Sequence, residues 1–284
     1  MDKLPEFIES RDGSIWFTEN DRDKMLISYK VKEILAVEQS PFQHIMILDL
    51  FDYGPTLVLD GVVQSTSVDG QIYNEMITHI PLVAHPTAKQ VLIIGGGDCG
   101  AAYEALKHPN VIVDMVEIDE AVVRLCRKLM PEVSRDLEDP RLNYLFEDGF
   151  KYIADNTDAF DVIIIDSSDP AGPAESLFTD DFYKMVKNAL KSDGIMICQS
   201  ESPILYRETL KNTRTSLNAI FSHVRTCIAA VPTYPGGIFS FTCASDKIDP
   251  YDWDGEWTLD TRYLNKEIYR ACFRLPKFIE DLLA

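Results

Sequence analysis

Val91-Leu92-Ile93-Ile94 runs without interruption into Gly95-Gly96-Gly97-Asp98-Cys99-Gly100, and a helix-forming stretch, Ala101 to Leu106, follows at once. An apolar run that meets a glycine loop and then a helix belongs at the carboxyl edge of a parallel sheet. The rest of the chain repeats that alternation. Val111 to Glu117 reads as a strand, Ala121 to Met130 as a helix, Arg141 to Glu147 as a strand, and Phe150 to Asp155 as the start of a helix. Asp161 to Asp166 is an apolar strand with an acid at each end. Lys184 to Leu190 is helical, Asp193-Gly194 closes it, and Ile195 to Cys198 is the next strand. Strands apolar on both faces, separated by helices, predict a doubly wound, Rossmann-like α/β domain.

The first sixty or so residues differ. Trp16–Glu19, Met25–Val31, Phe42–Leu48 and Thr56–Leu59 are short and apolar or nearly alternating, and turn residues separate them. They predict a small antiparallel β domain over residues 1–66, with Asp60-Gly61 as a last hairpin turn. The catalytic domain then spans 67–284. It opens with a helix from about Gln71, whose apolar positions Ile72, Met76 and Ile80 lie on a helical period and whose end Pro81 tightens.

Charge narrows the function. The 46 Asp and Glu against 27 Lys and Arg leave a formal −19. Binders of nucleic acid or anionic membranes need the opposite sign, so neither is an expected partner. No run approaches the length of a membrane helix, and the start lacks the basic and apolar regions of a signal peptide. Six scattered cysteines, with no Cys-x-x-Cys and no paired histidines, predict reduced thiols in the cytoplasm and no metal.

Gly95, Gly97 and Gly100 fit G-x-G-x-x-G between a strand and a helix, and Glu117 follows Gly97 by 20 residues at the end of the next strand. There a carboxylate reaches both hydroxyls of a ribose. The same residues also suit a plain tight turn and a surface glutamate. Asp98 inside the loop would repel a pyrophosphate, so a nucleoside with a cationic side chain fits better than a dinucleotide. S-adenosylmethionine-type ligands have that character, which makes the fold methyltransferase-like. Asp148-Gly149, after the third strand, suits an adenine edge or simply a turn. Asp166 and Asp169, in the run Asp166-Ser167-Ser168-Asp169-Pro170-Ala171-Gly172-Pro173, leave the carboxyl end of a strand as a pair of acids under a stiff loop. A cation site and a long connection both fit that spacing.

These segments, taken in order, resemble the polyamine aminopropyltransferases. The resemblance runs from Asp60-Gly61-Val62-Val63-Gln64-Ser65-Thr66 and Tyr73-Asn74-Glu75-Met76 through the Gly95–Gly100 loop and Glu117-Ile118-Asp119. It continues through Glu147-Asp148-Gly149, the Asp166–Phe178 loop and Pro232-Thr233-Tyr234-Pro235-Gly236-Gly237 to the tail from Thr261 to Leu283. It implies transfer of an aminopropyl group from decarboxylated S-adenosylmethionine, a co-substrate, to putrescine, with no cofactor and no metal. Gln43, Gln64, Gly95, Gly97, Asp98, Glu117, Asp148 and Gly149 would bind the donor. Asn74, Asp169 and Tyr234 would bind the small cationic amine, and Asp166 with Tyr73 would be catalytic. A homodimer or homotetramer is implied as well.

Four residues depart from the family pattern. Cys99 stands where glycine is usual, Asn74 where His or Gln is common, Gly70 where Glu follows Asp69, and Pro203 where some members have Gln near the diamine. These leave cadaverine, agmatine or spermidine as alternative acceptors. A methyltransferase would share the glycine loop and Glu117 without needing the Asp166/Asp169 pair. A non-catalytic polyamine-binding regulator would keep the fold and lose the chemistry.

Overall fold

The computed structural model describes residues 4–135, 137–168 and 176–284. Six strands come first: β1 (Ile8–Arg11), β2 (Ser14–Asp21), β3 (Met25–Gln39), β4 (His44–Leu50), β5 (Gly54–Leu59) and β6 (Val62–Thr66). They form one antiparallel sheet in sequential order. Asp60 and Gly61, both at positive φ, make the tight turn between β5 and β6. The chain therefore pairs once more after Asp60-Gly61 before it leaves the sheet.

The second part runs α1 (Gly70–Ala84), β7 (Gln90–Gly95), α2 (Gly100–Leu106), β8 (Ile112–Val116), α3 (Glu120–Leu129), α4 (Pro131–Ser134), β9 (Leu142–Leu145), α5 (Gly149–Ala154), β10 (Phe160–Asp166), α6 (Asp180–Ala189), β11 (Leu190–Gln199), α7 (Arg207–Ile220), β12 (His223–Ala230), β13 (Ile238–Ser245), α8 (Lys266–Cys272) and α9 (Lys277–Leu283). Its seven-stranded sheet has the order β12-β13-β11-β10-β7-β8-β9, parallel from β11 to β9, with β13 and β12 antiparallel at one edge.

The apolar runs are continuous because both faces are covered. Val91 and Ile93, Val162 and Ile164, and Ile195 and Ile197 join one core with α1, α2 and Tyr269 of α8. Their alternates, Leu92, Ile94, Ile163, Ile165, Met196 and Cys198, pack with Ile153, Phe182, Val186 and Leu217 from α5, α6 and α7. A further cluster joins the two sheets: Ile45, Ile47 and Leu57 meet Val122, Leu125 and Cys126 of α3. Asp119 caps α3 by accepting from the Ala121 N–H at 3.1 Å.

The structure departs from the pattern reading in α1, in the β12–β13 pair and at Asp193-Gly194, which lies within β11 instead of closing the helix before it. α1 passes through Pro81 and ends at Ala84; the next residue, His85, donates its N–H to the Pro81 carbonyl at 3.0 Å. An interior proline costs a helix about 3 kcal/mol; the buried face of α1, Tyr73 to Leu82, outweighs it. Strands β12 and β13 escape the apolar-run criterion because Thr226, Ser240, Thr242 and Ser245 interrupt them. Those side chains are buried but paired, with Ser200 Oγ 2.7 Å and Thr226 Oγ1 3.2 Å from Thr242 Oγ1.

Candidate active site

The carboxyl ends of β7, β8, β9 and β10 converge, as an open α/β sheet requires at its ligand crevice. The loop after β7 turns tightly. Gly95 sits at φ 85°, where a Cβ would lie 2.1 Å from the Asp166 carbonyl, so only glycine lets β7 and β10 approach there. At Gly97 a Cβ would meet Val122 at 2.8 Å and Glu117 Oε2 at 3.2 Å, so the missing side chain leaves that carboxylate oxygen accessible. Cys99 adopts φ 65° and is fully buried. This is the left-handed region that favours glycine, and the strain of a side chain there is about 1 kcal/mol. Burial pushes its thiol well above the ordinary range, which removes it as a nucleophile.

One cavity is lined by Gln43, Gln64, Tyr73, Asn74, Gly95, Gly97, Asp98, Glu117, Asp148, Gly149, Asp166 and Tyr234. Every sequence-predicted site residue within the described part is therefore brought together; Asp169 lies outside the described residues. Gln43 and Gln64 come from the first sheet and the others from the second part, so the cavity sits across the junction.

The carboxylates dominate its electrostatics. Asp166 and Glu117 line the cavity half-buried, and desolvation raises each to a pKa of about 7. For Asp166 the nearby Asp98 adds to the rise, while the Tyr73 hydroxyl, donating to Oδ1 at 2.7 Å, opposes it. For Glu117 the Asp119 N–H, at 2.9 Å from Oε1, opposes it. Burial raises Asp98 too, against the Ser65 hydroxyl, the Gly100 N–H at 2.8 Å from Oδ1, and the Asn74 amide at 3.4 Å from Oδ2. Among the described residues no Lys, Arg or His lines the cavity. Three clustered acids with no internal cation make a site for a positively charged ligand.

The remaining side chains are held in place from outside the cavity. Gln43 Nε2 donates to Asp119 Oδ2 at 2.9 Å, which ties the first sheet to the start of α3. Asp148 caps α5 through the Phe150 N–H at 2.9 Å, so one of its oxygens is already engaged. Tyr234 donates to the Gln64 carbonyl at 2.6 Å and meets Tyr73 edge to face at 5.9 Å. Asn74 Oδ1 is buried with no hydrogen-bond partner among the described residues. Gly70 also lines the cavity, where a Cβ would meet Ser65 Oγ at 2.6 Å. Pro203 is not among the lining residues.

A second cavity shares Gln64, Tyr73 and Tyr234 with the first and extends past Gln199 to Glu19 and Glu201, both buried. Neither glutamate stood out in the sequence: Glu19 is one polar residue within β2, and Glu201 follows a strand end. Glu201 sits at φ 68°, a left-handed conformation rare for a glutamate. Glu75 was passed over as well. Fully buried, it accepts the backbone N–H groups of Arg262, Tyr263 and Leu264 at 2.7, 2.9 and 2.8 Å and fastens the C-terminal segment to α1. His85, Asp161 and Asp193 come together near the amino end of β10, where Asp161 is already bonded to Lys191 Nζ at 2.9 Å.

Comparison with known proteins agrees across the whole chain. Residues 70–252 match the spermine/spermidine synthase domain, and residues 15–67 match the spermidine synthase tetramerisation domain. A polyamine aminopropyltransferase of Thermoanaerobacter sp. (strain X514) is 46% identical over 94% of this chain and 98% of its own. One from Methanocaldococcus jannaschii is 42% identical over 94% of each. Among solved structures, a spermidine synthase in complex with the transition-state analogue AdoDATO superposes with a TM-score of 0.92 at 34% identity, covering 100% of this chain and 99% of that one. Spermidine synthase from Thermotoga maritima gives 0.91 at 34%, covering 99% and 97%. With its fold, its glycine loop and its acidic cavity in agreement, the chain belongs to the spermine/spermidine synthase family and is an aminopropyltransferase enzyme.

Proposed function

We propose that the protein moves the aminopropyl group of decarboxylated S-adenosylmethionine to putrescine, giving spermidine and methylthioadenosine. The observation that carries this is the pair of joined cavities, one with Asp98, Glu117 and Asp166 and the next with Glu19 and Glu201. Together they offer carboxylates along a path suited to two polycations placed end to end. In this reading Glu117 holds the ribose, Asp148 and Gly149 the adenine edge, and Gln43 and Gln64 close the donor side. Asp98 takes the aminopropyl ammonium by a charge-assisted hydrogen bond. Tyr234, Asn74 and Asp169 flank the diamine, and its far ammonium reaches toward Glu19 and Glu201.

The chemistry needs alignment and one proton acceptor. The amine nitrogen attacks the carbon beside the sulfonium, the C–S bond breaks, and its electron pair returns to sulfur as a neutral thioether. No oxyanion forms. An alkylamine with a pKa near 10.4 is neutral in only about one molecule per thousand at pH 7. A base poised near neutrality beside the nucleophile therefore supplies most of the gain. Asp166, raised to about 7, is that base, and Tyr73 positions it.

We further assign residues 1–66 to assembly, as a homodimer or homotetramer, and 67–284 to catalysis. The match to a tetramerisation domain supports the first, and light scattering on the purified enzyme measures it. A cytoplasmic location accords with six buried, unbridged cysteines. Among the described residues no helix is long and apolar enough to cross a membrane.

The test is to incubate the enzyme with decarboxylated or intact S-adenosylmethionine and a panel of amines, assaying methylthioadenosine and S-adenosylhomocysteine. Methylthioadenosine formed fastest with putrescine supports the reading. A higher kcat/KM with cadaverine, agmatine or spermidine replaces the acceptor, and S-adenosylhomocysteine as the product overturns aminopropyl transfer.

A further inference from the structure

A groove of about 650 Å³ lies on the far side of α3 from the donor cavity, between α3, α4 and the end of β9. Its charge runs against that of the molecule. On a chain of net −19, Arg124, Arg127, Lys128 and Arg135 line this one groove, with Glu120 the acid among the described lining residues. Arg124 is held by Glu38 at 2.7 Å and Arg127 by Glu138 at 3.3 Å. Lys128 and Arg135 have no carboxylate within ion-pair distance among the described residues. The guanidinium of Arg127 lies over the Tyr144 ring at 5.4 Å and that of Arg135 over Tyr103 at 5.3 Å, so both cations are partly immobilised before any anion arrives.

The same groove carries a flat apolar surface. Tyr144 and Phe146 lie on one face of the chain at the end of β9, with near-parallel rings (18°) and centroids 6.3 Å apart. Phe146 is 44% exposed. An aromatic shelf beside converging cations, in a volume within the usual range for small-ligand sites, recognises a flat ring joined to phosphates.

We propose that this groove is an effector site for a nucleotide, whose base stacks on Phe146 and whose phosphates meet Arg127, Lys128 and Arg135. Effector action follows from the shared wall. Val122 lines the donor cavity and its neighbour Val123 lines the groove, while Phe146 precedes Asp148, of the donor cavity, by two residues. A ligand that moves α3 or the segment after β9 changes donor affinity, and the donor changes the ligand's affinity by the same factor. The groove itself is independent of the proposed reaction; only the identity of the coupled ligand rests on it.

ATP and inorganic triphosphate are the probes, used in calorimetry at low salt with methylthioadenosine saturating the donor cavity. ATP should bind at one further site per chain, more tightly than triphosphate. Lys128→Glu should weaken ATP by about tenfold or more. Phe146→Ala should weaken ATP and leave triphosphate unchanged. Both residues are exposed, so neither substitution threatens the fold. In wild type ATP should alter the KM for the donor, and in Lys128→Glu it should not. Four results overturn the proposal: no ATP binding once the donor cavity is filled, binding indifferent to Lys128→Glu, a Phe146→Ala effect shared equally by triphosphate, or groove protection from hydrogen exchange that rises with protein concentration, which would assign the surface to a second copy. If methylthioadenosine itself fails to bind, that counts against the proposed reaction, and the two variants still decide the groove.

Discussion

The Tyr73 hydroxyl, on α1, donates at 2.7 Å to Asp166 Oδ1 at the carboxyl end of β10, 93 residues away in sequence. A helix that leaves the first sheet thus fixes the orientation of the acid at the centre of the second. The bond stabilises the ionised form of Asp166 and so partly offsets the rise that burial and Asp98 impose.

Removing that hydroxyl should therefore move the pH profile in a definite direction. With Tyr73→Phe the Asp166 pKa rises further, and the ascending limb of kcat/KM, expected near pH 7 in wild type, shifts to higher pH. Lost alignment lowers kcat by about tenfold to a hundredfold. A pH–rate series on both enzymes checks this; a limb that stays in place would show that Asp166 is not the titrating group.

Asp166 also has a thermodynamic signature. Its pKa is raised in the fold, so its contribution to stability is fully present below the unfolded value of about 4 and is lost as pH rises through about 7. Glu117 acts in the same sense over the same window. His108, lowered to about 3 by burial, acts oppositely below about pH 6.5 and offsets one of the two carboxylates there. At pH 8 the ligand-free enzyme therefore holds ionised acids at a cost. Asp166→Asn should stabilise the fold at pH 8, by about a few kcal/mol at most, and so raise the melting temperature there, while abolishing turnover. Thermal denaturation at pH 5 and pH 8 separates this from general stabilisation, because the gain should shrink at the lower pH.

In the proposed reaction, donor choice would turn on Asp98: intact S-adenosylmethionine carries a carboxylate that this buried acid would repel. Asp98→Asn should raise the KM for the decarboxylated donor by about tenfold, the value of a lost charge-assisted hydrogen bond, and narrow the preference over the intact compound. Binding of both compounds, measured by calorimetry, reads the two effects separately.

Glu75 makes a structural prediction of comparable size. It accepts three backbone N–H groups from the C-terminal segment, of which that of Leu264 is buried, so Glu75→Ala removes three charge-assisted bonds and should cost about 3 kcal/mol. Hydrogen exchange at Arg262, Tyr263 and Leu264 should accelerate well before that of β7 or β10.

The parallel sheet and most of the lining of the acidic cavity were legible because their signals are local. Val91 to Ile94 and Asp161 to Asp166 declare doubly covered strands through composition alone, and Gly95, Gly97 and Glu117 stand at spacings that the strand–turn–helix geometry dictates. Glu19 and Glu201 were not legible. They are 182 positions apart and become neighbours of one cavity only because β2 and the end of β11 meet across the sheet junction. Strand β13 stayed hidden for a related reason: Ser240 and Thr242 look solvent-facing until their partners on neighbouring segments are known. Pro81 misled because local backbone preference was outweighed by burial along one face of α1.

The location of the cavity at the junction of the two sheets limits how this architecture can diversify. Gln43, in the turn before β4, and Gln64, on β6, reach it from the first sheet, and the cluster of Ile45, Ile47, Leu57, Val122 and Leu125 sets their register against α3. The amino-terminal module is therefore not an interchangeable attachment. A recombination event that grafted a foreign module onto residue 67 would inherit the glycine loop and the acids Asp98, Glu117, Asp148 and Asp166, yet leave the cavity open on one side until the missing wall had been rebuilt. Lineages of this enzyme should accordingly pass on the two modules as a unit, with changes along β4 and β6 tracking changes in α3.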